Sequence, residues 1–421
     1  MPALGALVAE PLFLLTDTAL VGHLGSSALG GLGIAGAVLQ SIVGLLIFLA
    51  YATTPAVARS LGAGDRSGAI RAGIDGMWLA LFLGVVLVAV GLPLAGTLVG
   101  AFGSTAAVTA AGTTYLTISL WGLPGMLLVI AATGLLRGLQ DTRTPLVVAV
   151  SGFALNAVLN AVFIYGFGWG IAGSAVGTVV AQWTMATVYM VMAVRAARVT
   201  GASLAPGLGG VTGAVASGSW LLLRTASLRI AMLATVASAA AVGVTELATL
   251  QVALTVFSTI AFALDSLAIA GQAMIGHGLG ASEVNRVRAI TLRLVELGVL
   301  GGIAVGALLV LLSPLLGFVF TSDAGVRDAL PVTMLVMAIG MPIAGYVFVL
   351  DGVLIGAGDG RYLALTGIVN LAVYLPLLAV VAATGAGSGW LWAAFGLGFI
   401  GARAVTLGLR VRTDRWIVTG A

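Results

Sequence analysis

Twelve apolar runs, each about as long as a bilayer-spanning helix, fill almost the whole chain. They lie at about 3–22, 34–58, 76–98, 110–135, 145–166, 171–194, 220–241, 249–276, 291–313, 329–351, 362–383 and 390–409. Glycine, proline and charge clusters separate them. Of the 421 residues, 60% are apolar and 8% are charged. Ordinary soluble domains carry roughly 25% charged residues. A soluble protein would therefore lack a polar coat, and disorder is excluded by the same hydrophobicity.

Arginine placement sets the topology. Every basic residue apart from the two histidines is arginine. Loops after even-numbered runs and the C-terminal tail hold fourteen, from Arg59 and Arg66 to Arg412 and Arg415. Loops after odd-numbered runs hold one, Arg327. By the positive-inside rule both termini are expected in the cytoplasm; the expected location is the inner (plasma) membrane of a prokaryote. The excess of four positive charges fits loops facing anionic lipid, so no nucleic-acid partner is expected. The first run lacks a basic n-region, so no cleavable signal is expected. It begins almost at residue 1, which suggests a misassigned start or a slightly longer natural chain.

The two halves repeat. Residues 134–143 read GLLRGLQDTR and residues 352–361 read GVLIGAGDGR, an offset of 218. The same offset pairs Leu61, Gly62, Ala63 and Asp65 with Leu279, Gly280, Ala281 and Glu283. Six helices per half is an even number, so the halves share one orientation. The expected fold is an all-α polytopic membrane protein, with twelve transmembrane helices in two six-helix bundles, a parallel 6+6 repeat around a central cavity. The expected lobes are 1–196 and 220–421, with a Gly, Ala and Ser-rich cytoplasmic linker at 197–219. Gly30, Gly31, Gly33 and Gly36 give small faces for close helix packing. Small faces allow dimers without requiring them, so a monomer is plausible.

Polar groups at bilayer depth are costly and mark candidate sites. Glu10 and Asp17 lie two turns apart on one face of the first run, about 10 Å along its axis. Pro11 between them predicts a bend. Burial disfavours a charged carboxyl group and a bound cation restores it, so such a pair can trade H⁺ for Na⁺ or a cationic substrate. Asn156 and Asn160 lie one turn apart in the fifth run, as partners of another helix or of a cation. The 218-residue offset sets Thr235 opposite Asp17, so the cation chemistry is expected in the N-terminal half. Asp265 is a further coupling candidate, expected to pair with Arg224 or Arg229. Asp351 is expected to cap or snorkel near the inner surface, and Arg403 to snorkel likewise. His23 and His277 sit at run ends, where an interfacial role is expected rather than metal binding.

With no cysteine and no H-E-x-x-H, P-loop or G-x-S-x-G in the sequence, an enzyme is not expected. No cofactor is expected either. Uphill transport would draw on an ion gradient.

The segment from Glu10 through Asp17 to Gly25, EPLFLLTDTALVGHLG, resembles the first helix of MATE (multidrug and toxic compound extrusion) transporters, specifically the DinF-like branch. LGAGD at 61–65, RGLQDTRTP at 137–145, GWGIAGSAVGT at 168–178 and LDGVLIGAGD at 350–359 extend the resemblance over essentially the whole chain. It implies a two-lobe antiporter exporting bulky, often cationic small molecules in exchange for H⁺ or Na⁺. The family's first-helix acid corresponds to Asp17 and its fifth-helix asparagine to Asn156. Some members carry an aspartate one turn later, where this chain has Asn160. That departure favours H⁺ over Na⁺ as the coupling ion.

Two other carriers share parts of this pattern. A major-facilitator-type exporter also has 6+6 helices, but its G-x-x-x-D-R-x-G-R-R loop is only partly matched by LGAGDRSGAIR. A lipid-linked precursor flippase of the same superfamily would carry a more cationic cavity. A channel or membrane-embedded enzyme would show itself by current or by lipid turnover.

Overall fold

The structure, a computed structural model, describes residues 16–420. Glu10 and Pro11 lie outside the described residues. Helix α1 covers 16–22. There follow α2 (Ser26–Leu46), α3 (Phe48–Gly62), α4 (Arg66–Gly100), α5 (Ala106–Leu120), α6 (Leu123–Gly138), α7 (Arg143–Ala161) and α8 (Gly170–Thr200). The chain continues through α9 (Leu208–Val242), α10 (Val244–Gly280), α11 (Val284–Phe320), α12 (Ala324–Gly356), α13 (Gly360–Ala383), α14 (Ser388–Ala393) and α15 (Ile400–Val411). Ten spans among the described residues are long and apolar enough to cross a membrane, and the pair α5–α6 makes an eleventh. With the first run, represented by α1, the protein is a twelve-helix polytopic membrane bundle. Helices suit this solvent because each satisfies its own backbone polar groups where no water can.

Departures from straight helices have local causes. The fourth span breaks into α5 and α6, bent by 52°. Pro124 lies in the first turn of α6 and has no N–H to offer the carbonyl one turn back. The fifth span ends in a π turn, Val162–Gly166, and the last span passes through another, Ala394–Phe399, between α14 and α15. Exposed ends carry side-chain caps. Asp65 accepts the Gly68 amide at 2.7 Å, and Asp323 accepts the Val326 amide at 3.0 Å.

The chain forms two compact units, Met1–Gly218 and Ser219–Ala421. Within the segment read as a linker, α8 runs to Thr200 and stops at Gly201, whose φ is 71°. Helix α9 resumes at Leu208, so the non-helical stretch is much shorter than glycine and serine content suggests. It is tied to α4, where Asp75 Oδ1 accepts the Gly207 amide at 2.8 Å and the Trp78 indole donates to the Leu204 carbonyl at 2.9 Å.

The sequence repeat reappears as repeated turn geometry. After α6, the Asp141 amide bonds back to Leu136 O and the Gln140 amide to Arg137 O, each at 2.9 Å. After α12, the Asp359 amide bonds to Leu354 O and the Gly358 amide to Ile355 O, each again at 2.9 Å. The left-handed corner is Gln140 (φ 64°) in one turn and Gly358 (φ 75°) in the other. After α3 and α10 the corners are Gly64 (φ 81°) and Ser282 (φ 59°). Each pair therefore places glycine in one turn and a side chain in the other at a corner glycine occupies most easily.

Close packing uses some of the glycines singled out above. A Cβ on Gly31 would lie 2.6 Å from the Gly112 amide nitrogen of α5, and one on Gly30 would meet Val108 at 3.3 Å. Gly33 and Gly36 have open space around them instead. In the C-terminal unit, Gly298, Gly302 and Gly306 recur every turn of α11 against the backbone of α12.

Candidate functional site

Asp17 is buried on α1, and its carboxylate is the focus of hydrogen bonds from three helices. The Ser174 hydroxyl of α8 donates to Oδ1 at 2.7 Å, and Asn160 Nδ2 of α7 donates to the same oxygen at 2.8 Å. The Tyr115 hydroxyl of α5 donates to Oδ2 at 3.4 Å. Asn160 Nδ2 also lies 3.1 Å from Asn156 Oδ1, and Asn156 Nδ2 donates to the Thr178 hydroxyl at 3.0 Å. Thr178 donates in turn to the Ser174 carbonyl at 3.0 Å. All six side chains are buried.

Helical spacing makes this assembly possible. Asn156 and Asn160 are one turn apart on α7, and Ser174 and Thr178 are one turn apart on α8, so two pairs of polar groups line facing stripes. Two glycines let the helices approach. A Cβ on Gly173 would meet the Phe163 carbonyl carbon at 2.7 Å, and Gly177 packs directly on the Asn160 amide. That contact covers Asn160 Oδ1, a buried oxygen without a hydrogen-bond partner among the described residues.

Every partner of Asp17 among the described residues is a neutral hydroxyl or amide. A bare carboxylate in that setting lacks the countercharge that burial normally requires. The sequence brought Asp17, Asn156 and Asn160 forward, and the structure joins all three. It missed Tyr115, Ser174 and Thr178. The four-residue spacing of Ser174 and Thr178, mirroring the two asparagines, was the available signal.

The C-terminal unit is different at the matching positions. Thr235, opposite Asp17 in the repeat, lies with its hydroxyl 2.5 Å from that of Tyr374, which matches Asn156. Around Tyr374 stand Phe395 and Phe399, with ring centroids 6.4 and 5.3 Å away, and Trp392 packs on Phe395 at 5.6 Å. The place of the acid site is filled by aromatic packing.

Two expectations for this unit are corrected. Asp351 does not snorkel or cap a helix end. It is buried between two guanidiniums, with Oδ2 paired to Arg224 and Oδ1 2.6 Å from Arg403 Nη2. Arg403 is likewise buried, 9% exposed, rather than reaching for the interface. Burial is tolerable because each charge meets its opposite. Asp265, half-buried on α10, belongs to this unit and not to the Asp17 network.

Comparison with known proteins matches the fold over nearly the whole chain. The MatE family profile matches residues 2–162 and again residues 221–381. Protein DETOXIFICATION 44, chloroplastic, of Arabidopsis thaliana is 28% identical over 99% of this chain and 82% of its own. DNA damage-inducible protein F of Escherichia coli is 26% identical over 67% of this chain and 63% of its own. A probable multidrug resistance protein NorM of Bradyrhizobium diazoefficiens is 27% identical over 96% of this chain and 90% of its own. Among solved structures, MATE in the bent conformation superposes with a TM-score of 0.90 at 22% identity, covering 99% of this chain and 94% of that one. The outward-facing conformation of a multidrug resistance MATE family transporter of the MOP superfamily gives 0.88 at 22% identity, with the same coverage. The chain belongs to the MatE family: it is a multi-pass MATE transporter, of the multidrug and toxic compound efflux kind, with DinF-like relatives.

Proposed function

We propose that this protein is a secondary antiporter that exports small organic cations or toxic metabolites by alternating access in exchange for H⁺, and that Asp17 carries the proton. The observation behind this reading is the buried carboxylate whose partners among the described residues are all neutral. A proton cancels its charge at the least geometric cost. Oδ2 is the receiving oxygen, because it holds one long hydrogen bond where Oδ1 holds two short ones. On protonation the Tyr115 hydroxyl turns from donor to acceptor.

Asn160 supports H⁺ over Na⁺. It is a neutral amide beside Asp17, where a second carboxylate would add negative charge for a sodium ion. Asn156, Asn160 and Asp17 are the substrate- and cation-binding set, and Asp265 is a candidate for a separate contribution in the C-terminal unit. Glu10 and Pro11 belong to the same proposal as second acid and bending point. The arginine distribution supports cytoplasmic termini in a prokaryotic plasma membrane.

The test is transport in liposomes with ΔpH and ΔNa⁺ imposed separately, using a fluorescent organic cation and comparing wild type with Asp17→Asn. Uptake driven by ΔpH and lost in the variant is the expected result. Uptake driven by ΔNa⁺ alone, or full coupled uptake by the variant, overturns the assignment.

A further inference from the structure

An apolar groove of the C-terminal unit is far in sequence from the Asp17 network and is lined by exposed side chains. It holds about 510 Å³ between α12 and the α14–α15 span. Val332, Val336 and Ile339 line it at helical spacing from α12, Trp390 and Leu397 line it from the last span, and Glu246 in the first turn of α10 lines it too. Val332 and Ile339 are each 60% exposed and Trp390 is 68% exposed. The volume falls within the range of about 300–1,000 Å³ seen for small-ligand sites, and so does the pattern of apolar lining with few polar groups.

Charge distinguishes this groove from a plain lipid-facing surface. Glu246 has no hydrogen bond or ion pair among the described residues. More acid lies close by. A Cβ on Gly325 would meet Thr245 Cγ2 at 3.4 Å, which puts the starts of α10 and α12 side by side. Asp323 and Asp328 therefore share that end with Glu246. The basic residue there, Arg327, is engaged elsewhere: its guanidinium lies 4.8 Å over Phe318, and its Nε donates to the Thr321 carbonyl at 2.9 Å. The groove is thus lined by both an exposed indole and Glu246, whose carboxylate lies beside Gly243 at the start of α10 without an ion pair among the described residues. A quaternary ammonium is attracted to both, by charge and by the indole face.

We propose that this groove binds single-chain amphipathic ammonium compounds, with the alkyl chain along Val332, Val336 and Ile339 and the cation between Glu246 and Trp390. The site is separate from the coupling acid and stands whether or not Asp17 carries the proton. It would hold such a compound at the membrane surface of the C-terminal unit, before or after its passage.

The test uses full-length protein in nanodiscs of phosphatidylglycerol, so that no lipid choline competes. The probe is dodecyltrimethylammonium brominated on its chain, read by quenching of tryptophan fluorescence, with brominated dodecanol as the neutral control. Wild type is expected to show a saturable component. Trp390→Phe removes that component, and Glu246→Gln raises its half-saturating concentration at least tenfold. Quenching by the alcohol is the same in wild type and Glu246→Gln. The component persists in Asp17→Asn. Both groove variants change exposed or half-exposed side chains and are expected to fold; Val336→Phe, which narrows the trough without adding a tryptophan, is an independent check and also weakens saturation. Equal half-saturation in wild type and Glu246→Gln means that the groove takes a lipid chain only and overturns the proposal. So does loss of the saturable component in Asp17→Asn.

Discussion

The hydroxyl of Thr235 lies 2.5 Å from that of Tyr374, at the positions the repeat matches to Asp17 and Asn156. Thr235 also donates to the Ala231 carbonyl at 2.7 Å, so it keeps a partner when the tyrosine loses its oxygen. Tyr374→Phe should therefore cost about 1 kcal/mol, the net worth of one buried hydrogen bond. Coupled transport should be unaffected, because this unit holds no acid at the matching place. Thermal unfolding in detergent beside a liposome assay checks both halves of the statement.

Asn160→Asp replaces an amide nitrogen with a carboxylate oxygen beside Asp17. Two acids at this distance cannot both ionise without a cation between them. The variant is expected to show more Na⁺-dependent stabilisation and more Na⁺-driven transport than the wild type. Melting temperatures measured in NaCl and in choline chloride at equal ionic strength decide the point.

Asp141 sits in the turn between α6 and α7, outside the spans. Burial by itself pushes its carboxyl group up, but the Thr144 hydroxyl, the amides of Thr144 and Arg143 and the Arg143 charge hold it below its ordinary value of 3.8. A carboxyl group lowered on folding stabilises the fold fully above that ordinary value. The contribution fades as pH falls below 3.8 towards the lower folded value. Asp141→Asn should lower stability at neutral pH and lose less than wild type on acidification to pH 3. Unfolding curves at pH 7, 5 and 3 measure this.

Helices α11 and α12 meet backbone to backbone. A Cβ on Gly306 would lie 2.7 Å from the Ala338 carbonyl oxygen, whereas Gly301, on the open side of the same helix, has nothing within 4 Å. Gly306→Leu should destabilise by about 1–3 kcal/mol through overpacking. Gly301→Ala should stabilise by about 0.5–1 kcal/mol through helix propensity alone. Opposite shifts in melting temperature are the expected result.

The left-handed corner at Ser282 is occupied by a residue with a Cβ, where its repeat partner has Gly64. Ser282→Gly should be neutral or stabilising, while Gly64→Ala should cost about 1 kcal/mol. The comparison isolates the corner from the helices that flank it, and calorimetry on the two variants suffices.

Most of the architecture could be read from hydropathy, because a membrane imposes one length scale and one polarity on every span. The eleven runs that lie wholly within the described residues are helical, with ends extended past the apolar cores into polar turns such as Arg66–Arg71 before the third run. The bend at Pro124 and the two π turns were not legible, since they depend on how neighbouring helices replace lost backbone bonds. Asp17, Asn156 and Asn160 were legible because polar groups inside apolar runs are conspicuous. Tyr115, Ser174 and Thr178 were not, because tyrosine, serine and threonine pass unnoticed in such runs and matter here only through what they face. The burial of Asp351 and Arg403 was misjudged for a related reason. Each was read as a lone charge near a helix end, and pairing between α9, α12 and α15 cannot be seen from any one of them.

The Tyr165 hydroxyl, on the π turn that ends the fifth span, donates to the Leu20 carbonyl at 2.6 Å. Leu20 is three residues beyond Asp17, so α1 is fastened to the same span at two heights, once by Asn160 and once by Tyr165. A rod pinned at two heights cannot spin about its own axis. Turning α1 therefore requires Asp17 to leave Ser174 and Tyr115 as well as Asn160, and the Tyr165 bond at Leu20 would then be the pivot.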